Sequence, residues 1–198
     1  MLNPQALPTK TRAVVIGVSA GAIGALSALL PAISPPCAIP VIVVVHVPAG
    51  KPSLLVELFA SRCLVPVREP LDKQAIEPAI WFAPPDYHLL IDADGTFSLT
   101  VDEPVNFSRP AIDVLFETAA EAYGKDLVGI VLTGASEDGA RGARAIREAG
   151  GFVMVQDPST AEMATMPQAA ITFAKPQLIG SLNDLAGALA VLTSKGSS

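Results

Sequence analysis

A serine set among small residues near the start of the chain is the first candidate for chemistry. Ser19 stands in the run Gly17-Val18-Ser19-Ala20-Gly21, which fits the Gly-x-Ser-x-Gly pattern of a nucleophile elbow. In such an elbow, small flanking residues let a strand turn sharply into a helix, so that the hydroxyl is exposed. Backbone N–H groups at the helix start then face a developing oxyanion. In the alternative interpretation, Ser19 only caps the following helix.

A serine nucleophile needs a base and an orienting acid. Of the two histidines, His46 follows five consecutive apolar residues, which predicts a strand end, although a buried structural histidine fits equally well. His88 lies in an irregular segment and is predicted to be a structural or rim residue. Asp138 is the predicted acid, because a carboxylate at a strand end can hold the imidazole. It also suits the cap of the next helix, and Glu137 is the less favoured alternative.

Strands and helices alternate along almost the whole chain. The predicted strands are Ala13–Val18, Val41–Val45, 79–83, His88–Ile91, 97–101, 127–132, 152–155 and 177–180. The predicted helices are residues 20–30, 53–61, 110–123, 139–149, 166–173 and 182–192. This order predicts an α/β fold, three-layer and doubly wound, with a mainly parallel sheet. Asp94-Gly95 between two short strands adds a small antiparallel hairpin.

This topology decides whether the three reactive side chains can meet. Ligands of parallel sheets bind beyond the carboxyl ends of the strands. Ser19, His46 and Asp138 each follow a predicted strand. They will be close together if those strands are neighbours.

Charge patterns predict two surface helices. In the helix over residues 110–123, Asp113, Glu117 and Glu121 occupy a different face from the apolar residues, which is typical of an amphipathic surface helix. In the helix over 139–149, Arg141, Arg144 and Arg147 share one face, which we interpret as solvated.

Composition excludes several function classes. The 198 residues carry a formal net charge of −6, and no cluster of Lys and Arg suits phosphate contacts, so nucleic acid is not expected as a partner. Two histidines and two separated cysteines predict no metal site and no cofactor. Cys37 and Cys63 are interpreted as buried or inert thiols in a reducing compartment.

An uncharged stretch between Arg12 and Lys51 allows a signal-peptide or transmembrane interpretation. Glycines dilute its apolar character, and several prolines divide it before a membrane span is completed. We therefore predict a buried strand–helix–strand unit and no membrane insertion.

Chain order excludes the commonest fold with this serine motif. In α/β-hydrolases the order is Ser, acid, His, whereas no histidine follows His88 here. The chain instead resembles, over roughly residues 12–192, the catalytic domain of CheB-type chemotaxis protein-glutamate methylesterases. The matching segments are IGVSAG at 16–21, VHVP at 45–48, APPDYH at 83–88, RPAIDVLF at 109–116, VLTGASEDGARG at 131–142, QDPST at 156–160 and MP at 166–167.

The resemblance implies a role for each candidate residue. Ser19 would be the nucleophile, His46 the general base and Asp138 the orienting acid, with Arg109 near the site to help bind substrate. The family hydrolyses glutamyl methyl esters on the cytoplasmic helices of chemoreceptors, and some members deamidate glutamine. A cytoplasmic serine hydrolase with methylated chemoreceptor helices as its partner is therefore expected.

Three alanines depart from the family pattern. Ala20 stands where threonine is usual, Ala22 where glycine is usual, and Ala135 where methionine is usual. Backbone donors survive these changes, so we expect the oxyanion hole to use the amides of Ala20 or Ala135. The alternative is a weakened or inactive chemosensory module that binds receptor helices.

A nucleotide-binding loop is a third interpretation. It would use Gly17, Gly21 and Gly24, but their spacing is not that of Gly-x-Gly-x-x-Gly, and no acidic residue follows at the required distance. We therefore favour one methylesterase-like catalytic domain over residues 12–193, with flexible ends at 1–11 and 194–198. Only 12 residues precede the first predicted strand, so no receiver domain is expected.

Overall fold

The computed structural model describes residues 7–47, 50 and 53–194. Its strands are β1 (Ala13–Val18), β2 (Val41–Val45), β3 (Val67–Arg68), β4 (Ile80–Phe82), β5 (His88–Ile91), β6 (Phe97–Thr100), β7 (Leu127–Val131), β8 (Phe152–Gln156) and β9 (Leu178–Gly180). Its α-helices are α1 (Ala22–Leu29), α2 (Leu55–Ala60), α3 (Ile112–Tyr123), α4 (Ala140–Glu148), α5 (Thr165–Ala174) and α6 (Leu182–Ser194).

The main sheet has seven parallel strands in the order β3-β4-β2-β1-β7-β8-β9. The central strands β1, β2 and β7 are buried along their whole length, which their Val- and Ile-rich sequences allow. The loops that follow these three neighbouring strands start at the same sheet edge. The strands before Ser19, His46 and Asp138 are therefore neighbours, and the three residues lie on adjacent loops.

Helices cover both faces of the sheet. Helices α1, α2 and α6 contribute to the core on one face, and α3, α4 and α5 contribute to the core on the other. The predicted three-layer α/β fold is confirmed. Strands β5 and β6 form a separate antiparallel pair around the Asp94-Gly95 turn, which confirms the predicted hairpin. Its Phe97 ring lies 5.1 Å from the Trp81 ring of β4, so the hairpin is packed onto the main sheet.

Sequence patterns missed one strand and misplaced one side chain. Strand β3 has only two residues, too few to show an alternating pattern, and it is fixed by pairing with β4. Asp113 was expected on the solvent face of its helix, but the structure buries it to 2% exposure. This expectation was wrong because Asp113 lies in the first turn of α3, against the start of α4, where Gly142 donates to its carboxylate.

The structure also bears on the two cysteines, on membrane insertion and on the chain ends. Cys37 and Cys63 are half-buried free thiols, and burial raises the pKa of both. None of the helices described here is long and apolar enough to cross a bilayer. Of the predicted flexible ends, residues 1–6 and 195–198 lie outside the described residues.

Candidate active site

The turn after β1 presents Ser19 at the sheet edge. The Ser19 N–H donates to Thr133 O at 3.0 Å, and the Ser19 carbonyl accepts from Ala22 N–H at the same distance. In the turn between Ser19 and Ala22, Gly21 has φ +83°, a left-handed conformation that disfavours residues with a side chain. A Cβ there would lie 2.8 Å from the Glu162 carboxylate and 3.0 Å from Thr133. The turn after β1 therefore needs glycine at position 21 for two separate reasons, the left-handed backbone and the lack of space for a side chain.

Thr133, two residues beyond β7, holds this turn through hydrogen bonds to neighbouring segments. Its hydroxyl donates to Ala20 O at 2.9 Å and accepts from Met163 N–H at 2.9 Å. Its own N–H donates to the side chain of Gln156, a buried residue at the end of β8. Sequence reasoning missed both Thr133 and Gln156. A polar residue directly after a buried strand was the available signal.

His46 lies beside Ser19 at the end of β2. Both residues line a cavity of about 350 Å³, together with Gly21, Leu55 and Glu162. The His46 side chain is 13% exposed. Within the described residues the Ser19 hydroxyl makes no hydrogen bond to the His46 ring, so the two side chains share a cavity without being hydrogen-bonded.

Asp138 holds the other side of the His46 ring. Its carboxylate is fully buried and lies 2.7 Å from His46 Nε2. It also accepts from Ile112 N–H at 2.6 Å and Asp113 N–H at 3.1 Å, the first two amides of α3, and from the Asn106 amide at 2.9 Å. Burial raises the pKa of Asp138, but the hydrogen bonds from His46, Asn106 and Ile112 outweigh it, and the pKa is lowered. The carboxylate therefore stays ionised.

Asp113 is a second buried carboxylate behind the first. It accepts from Gly142 N–H at 2.7 Å and from the Asn106 amide at 3.0 Å. Burial raises its pKa, and the nearby charge of Asp138 adds to this increase, although the Gly142 hydrogen bond opposes it. Sequence reasoning missed Asn106 altogether. Its segment has no periodic pattern, and only a local left-handed turn marks it in the structure.

The other histidine and the alternative acid lie apart from the cavity around Ser19. His88 is buried, accepts from Ala111 N–H at 3.2 Å, and its Nε2 lies 3.1 Å from Glu103 O. These contacts tie the loop over residues 101–111 to β5, in agreement with the structural role predicted for His88. Glu137 is exposed, and among the described acidic residues Asp138 alone forms an ion pair with His46.

Three of the predicted site residues, Arg109, Ala20 and Ala135, do not line the cavity that contains Ser19. Arg109 lines a neighbouring cavity of about 270 Å³, which shares His46 with the first, and its guanidinium donates to Val101 O and Asp102 O. Ala20 and Ala135 are not part of the lining around Ser19. Within the described chain, their N–H groups donate to no protein acceptor. The structure therefore does not bring all six predicted site residues together in one cavity.

Among the described residues, an acidic side chain lines the Ser19 cavity. Glu162 lies on the rim of the Ser19 cavity, and the described residues that line this cavity include no lysine or arginine. The described residues contain no group of three or more His, Cys, Asp or Glu side chains that could hold a metal ion. What remains is a serine, a histidine held by a buried carboxylate, and unpaired backbone amides nearby. These groups suit acyl transfer assisted by a general base.

Comparisons with known proteins agree with this chemistry. The family model for CheB methylesterase matches residues 14–189. A putative protein-glutamate methylesterase/protein-glutamine glutaminase of Leptospira interrogans is 45% identical over 175 residues, covering 88% of this chain and 91% of that protein. A protein-glutamate methylesterase/protein-glutamine glutaminase of Trichodesmium erythraeum is 36% identical over 188 residues, and the match spans 53% of its length.

A solved structure is similar over nearly the whole chain. The crystal structure of the Thermotoga maritima CheB methylesterase catalytic domain matches with a TM-score of 0.87 at 29% identity. The match covers 93% of this chain and all of that domain.

Proposed function

The chain belongs to the CheB methylesterase family, and on that premise we propose that it hydrolyses methyl esters of glutamate side chains through Ser19, His46 and Asp138. The observation that carries this proposal is the 2.7 Å contact between His46 and Asp138 beside the cavity that contains Ser19. Its substrates in this proposal are the methylated cytoplasmic helices of chemoreceptors. The domain over residues 12–193 acts in the cytoplasm.

In this proposal, each nitrogen of the His46 ring has its own task. Because Nε2 faces the Asp138 carboxylate, Nδ1 is the atom left to act on Ser19. Nδ1 takes the hydroxyl proton as Ser19 Oγ attacks the ester carbonyl, and it returns that proton to methanol as the acyl-enzyme forms. Water then attacks the acyl-enzyme with the same assistance, releasing glutamate and free Ser19. General-base help of this kind contributes about 10²–10⁴ in rate.

Backbone amides are proposed to bind the oxyanion. The N–H groups of Ala20 and Ala135 are the candidates, since neither is used by another described protein group. Arg109 is proposed to bind substrate from the neighbouring cavity, across His46 from Ser19. The same acyl-enzyme would form from glutamine with ammonia as the leaving group, which provides the glutaminase reaction named for the relatives.

Methanol release from a methylated receptor fragment tests the proposal. We expect release by the unchanged protein and its loss in Ser19→Ala. Ser194→Ala is the matched control, because Ser194 is exposed at the end of α6. Equal release by Ser19→Ala and the unchanged protein would contradict the assignment of the nucleophile.

A second candidate is a non-catalytic module that binds receptor helices. The absence of a hydrogen bond between Ser19 and His46 in the described structure favours it, although catalytic hydrogen bonds are often long before substrate binds. Labelling with a fluorophosphonate separates the two. Stoichiometric labelling that depends on His46 indicates an enzyme, and no labelling together with receptor binding indicates the module.

A further inference from the structure

The Asn106 amide lies between two buried carboxylates. Its Nδ2 is 2.9 Å from Asp138 Oδ1 and 3.0 Å from Asp113 Oδ2, so one NH₂ group donates a hydrogen to each. Asn106 is itself an exposed residue in the loop before α3, and its amide reaches inward from that surface. The amide thus joins a surface loop to the acid that holds His46.

We propose that Asn106 is a positioning residue for hydrolysis, acting through Asp138. This inference rests on the proposed function. Asp138 uses Oδ2 for His46 and Ile112, and Oδ1 for Asp113 N–H and Asn106. The two backbone donors are fixed by the start of α3. Asn106 adds a side-chain donor on the oxygen that does not face His46, and this donor strengthens the restraint that the two backbone donors place on the rotation of the carboxylate.

The residue type matches this task in two ways. At φ +51° the backbone of Asn106 is left-handed, where asparagine, aspartate and glycine are tolerated. Among these three, asparagine alone offers an NH₂ group that can donate to two acceptors at once. Aspartate would place a third carboxylate against Asp113 and Asp138. Glycine would keep the turn and remove the donor.

The step that depends on Asn106 is the formation of the imidazolium. Asp138 stabilises the positive charge that His46 carries only while the proton of Ser19 is in transit. A misrotated Asp138 therefore raises the barrier without changing how the ester is bound. The expected signature is a fall in kcat with little change in KM.

Among the described residues, charged and titratable groups reach the amide and its two carboxylates from several elements, including Glu117 on α3, which interacts electrostatically with both carboxylates. Asp113 on α3 and Asp138 after β7 accept from it directly, His46 lies beyond Asp138, and Arg141 on α4 acts on Asp113. A carboxyl introduced at 106 would face two carboxylates, which raises its pKa. When protonated, it would donate its O–H to one of them. An aspartate at this position is therefore expected to recover part of the function as pH falls.

The experiment compares Asn106→Gly and Asn106→Asp in the full chain. Removing a hydrogen bond to a charged group predicts a fall in kcat of about 10–100-fold for Asn106→Gly, with KM changed less than about 2-fold. Asn106→Asp should fall further at neutral pH and approach the unchanged protein at lower pH, measured as a ratio at each pH. Asn183→Asp, an exposed site on α6, is the control for an added carboxyl.

A backbone role alone gives a different result. Glycine and aspartate both accept the left-handed turn, so kcat near that of the unchanged protein in both variants would overturn the proposal. A change confined to KM would also overturn it. If the unchanged protein releases no methanol, the proposed function fails, and the rate of fluorophosphonate labelling of Ser19 then tests Asn106 by the same comparison.

Discussion

The two sides of the His46 ring are built differently. On the side of Asp138, a fully buried carboxylate accepts four hydrogen bonds from three separate segments of the chain. On the side of Ser19, the ring faces a cavity of about 350 Å³ and makes no hydrogen bond to the serine among the described residues. The Asp138 carboxylate is fixed by the fold, and Ser19 faces an open cavity.

This difference separates two kinds of sensitivity. Changes on the Asp138 side should alter both stability and the rate of the proposed hydrolysis, because the same hydrogen bonds hold the start of α3 and the Asp138 carboxylate. Changes on the serine side should affect stability and the reactivity of Ser19 mainly by altering the shape of the turn after β1.

Asp138→Asn should produce the largest loss. The substitution keeps the size of the side chain but places an NH₂ group where backbone or Asn106 donors now point, so the imidazole loses its proper partner. We expect kcat for methanol release to fall by about 10³–10⁴. Asp157→Asn is the matched control, since the Asp157 carboxylate also accepts from a backbone N–H but lies in the loop after β8. Similar losses in both variants would contradict a special role for Asp138.

Gly21→Ala tests the shape of the serine turn. The new Cβ would meet Glu162 and Thr133 at 3.0 Å or less in a left-handed conformation, which itself costs about 1–2 kcal/mol. We expect lower stability in urea and slower fluorophosphonate labelling of Ser19. Gly24→Ala is the control, because nothing lies within 4 Å of its added Cβ and it sits inside α1. That variant should be more stable by about 0.5–1 kcal/mol.

Thr133→Val tests the tether of the same turn. Valine keeps the shape of threonine and removes the hydroxyl that contacts Ala20 and Met163. The carbonyl and N–H left without partners predict a loss of about 1–3 kcal/mol in the free energy of unfolding. Thr172→Val, whose hydroxyl only donates to Gln168 O on an exposed helix face, should change little. Equal effects would show that the tether contributes nothing to the turn.

The sequence predicted the strands that carry the serine and the histidine better than it predicted the acid's surroundings. Strands β1 and β2 match their predicted bounds because each is a continuous apolar run ended by a polar residue. The position of Asp138 followed from the strand before it and the glycine after it. These signals are local, and a parallel sheet converts them into a shared edge.

The network behind Asp138 depends on contacts that no local pattern records. Helical periodicity places Asp113 on a polar face, yet the α4 backbone at Gly142 and the loop at Asn106 cover that face. Asn106 belongs to a loop without periodicity, and its partners lie 7 and 32 residues away in the chain. Tertiary packing alone makes these residues part of one hydrogen-bonded group.

The smallest effect that we expect is in the pH dependence of stability, to which Asp138 and Asp113 should contribute with opposite signs. The pKa of Asp138 is lowered in the folded state, so its contribution to stability is present above the unfolded value of about 3.9 and is lost as pH falls through the folded pKa. The pKa of Asp113 is raised, so its ionisation costs stability as pH rises from about 3.9 through the folded pKa.

Urea unfolding across acidic pH measures both contributions to stability. The stability of the unchanged protein relative to Asp138→Asn should increase with pH, and relative to Asp113→Asn it should decrease. Any loss of packing in either variant shifts its curve without changing this slope, so slopes of the same sign would contradict the opposite environments of the two carboxylates.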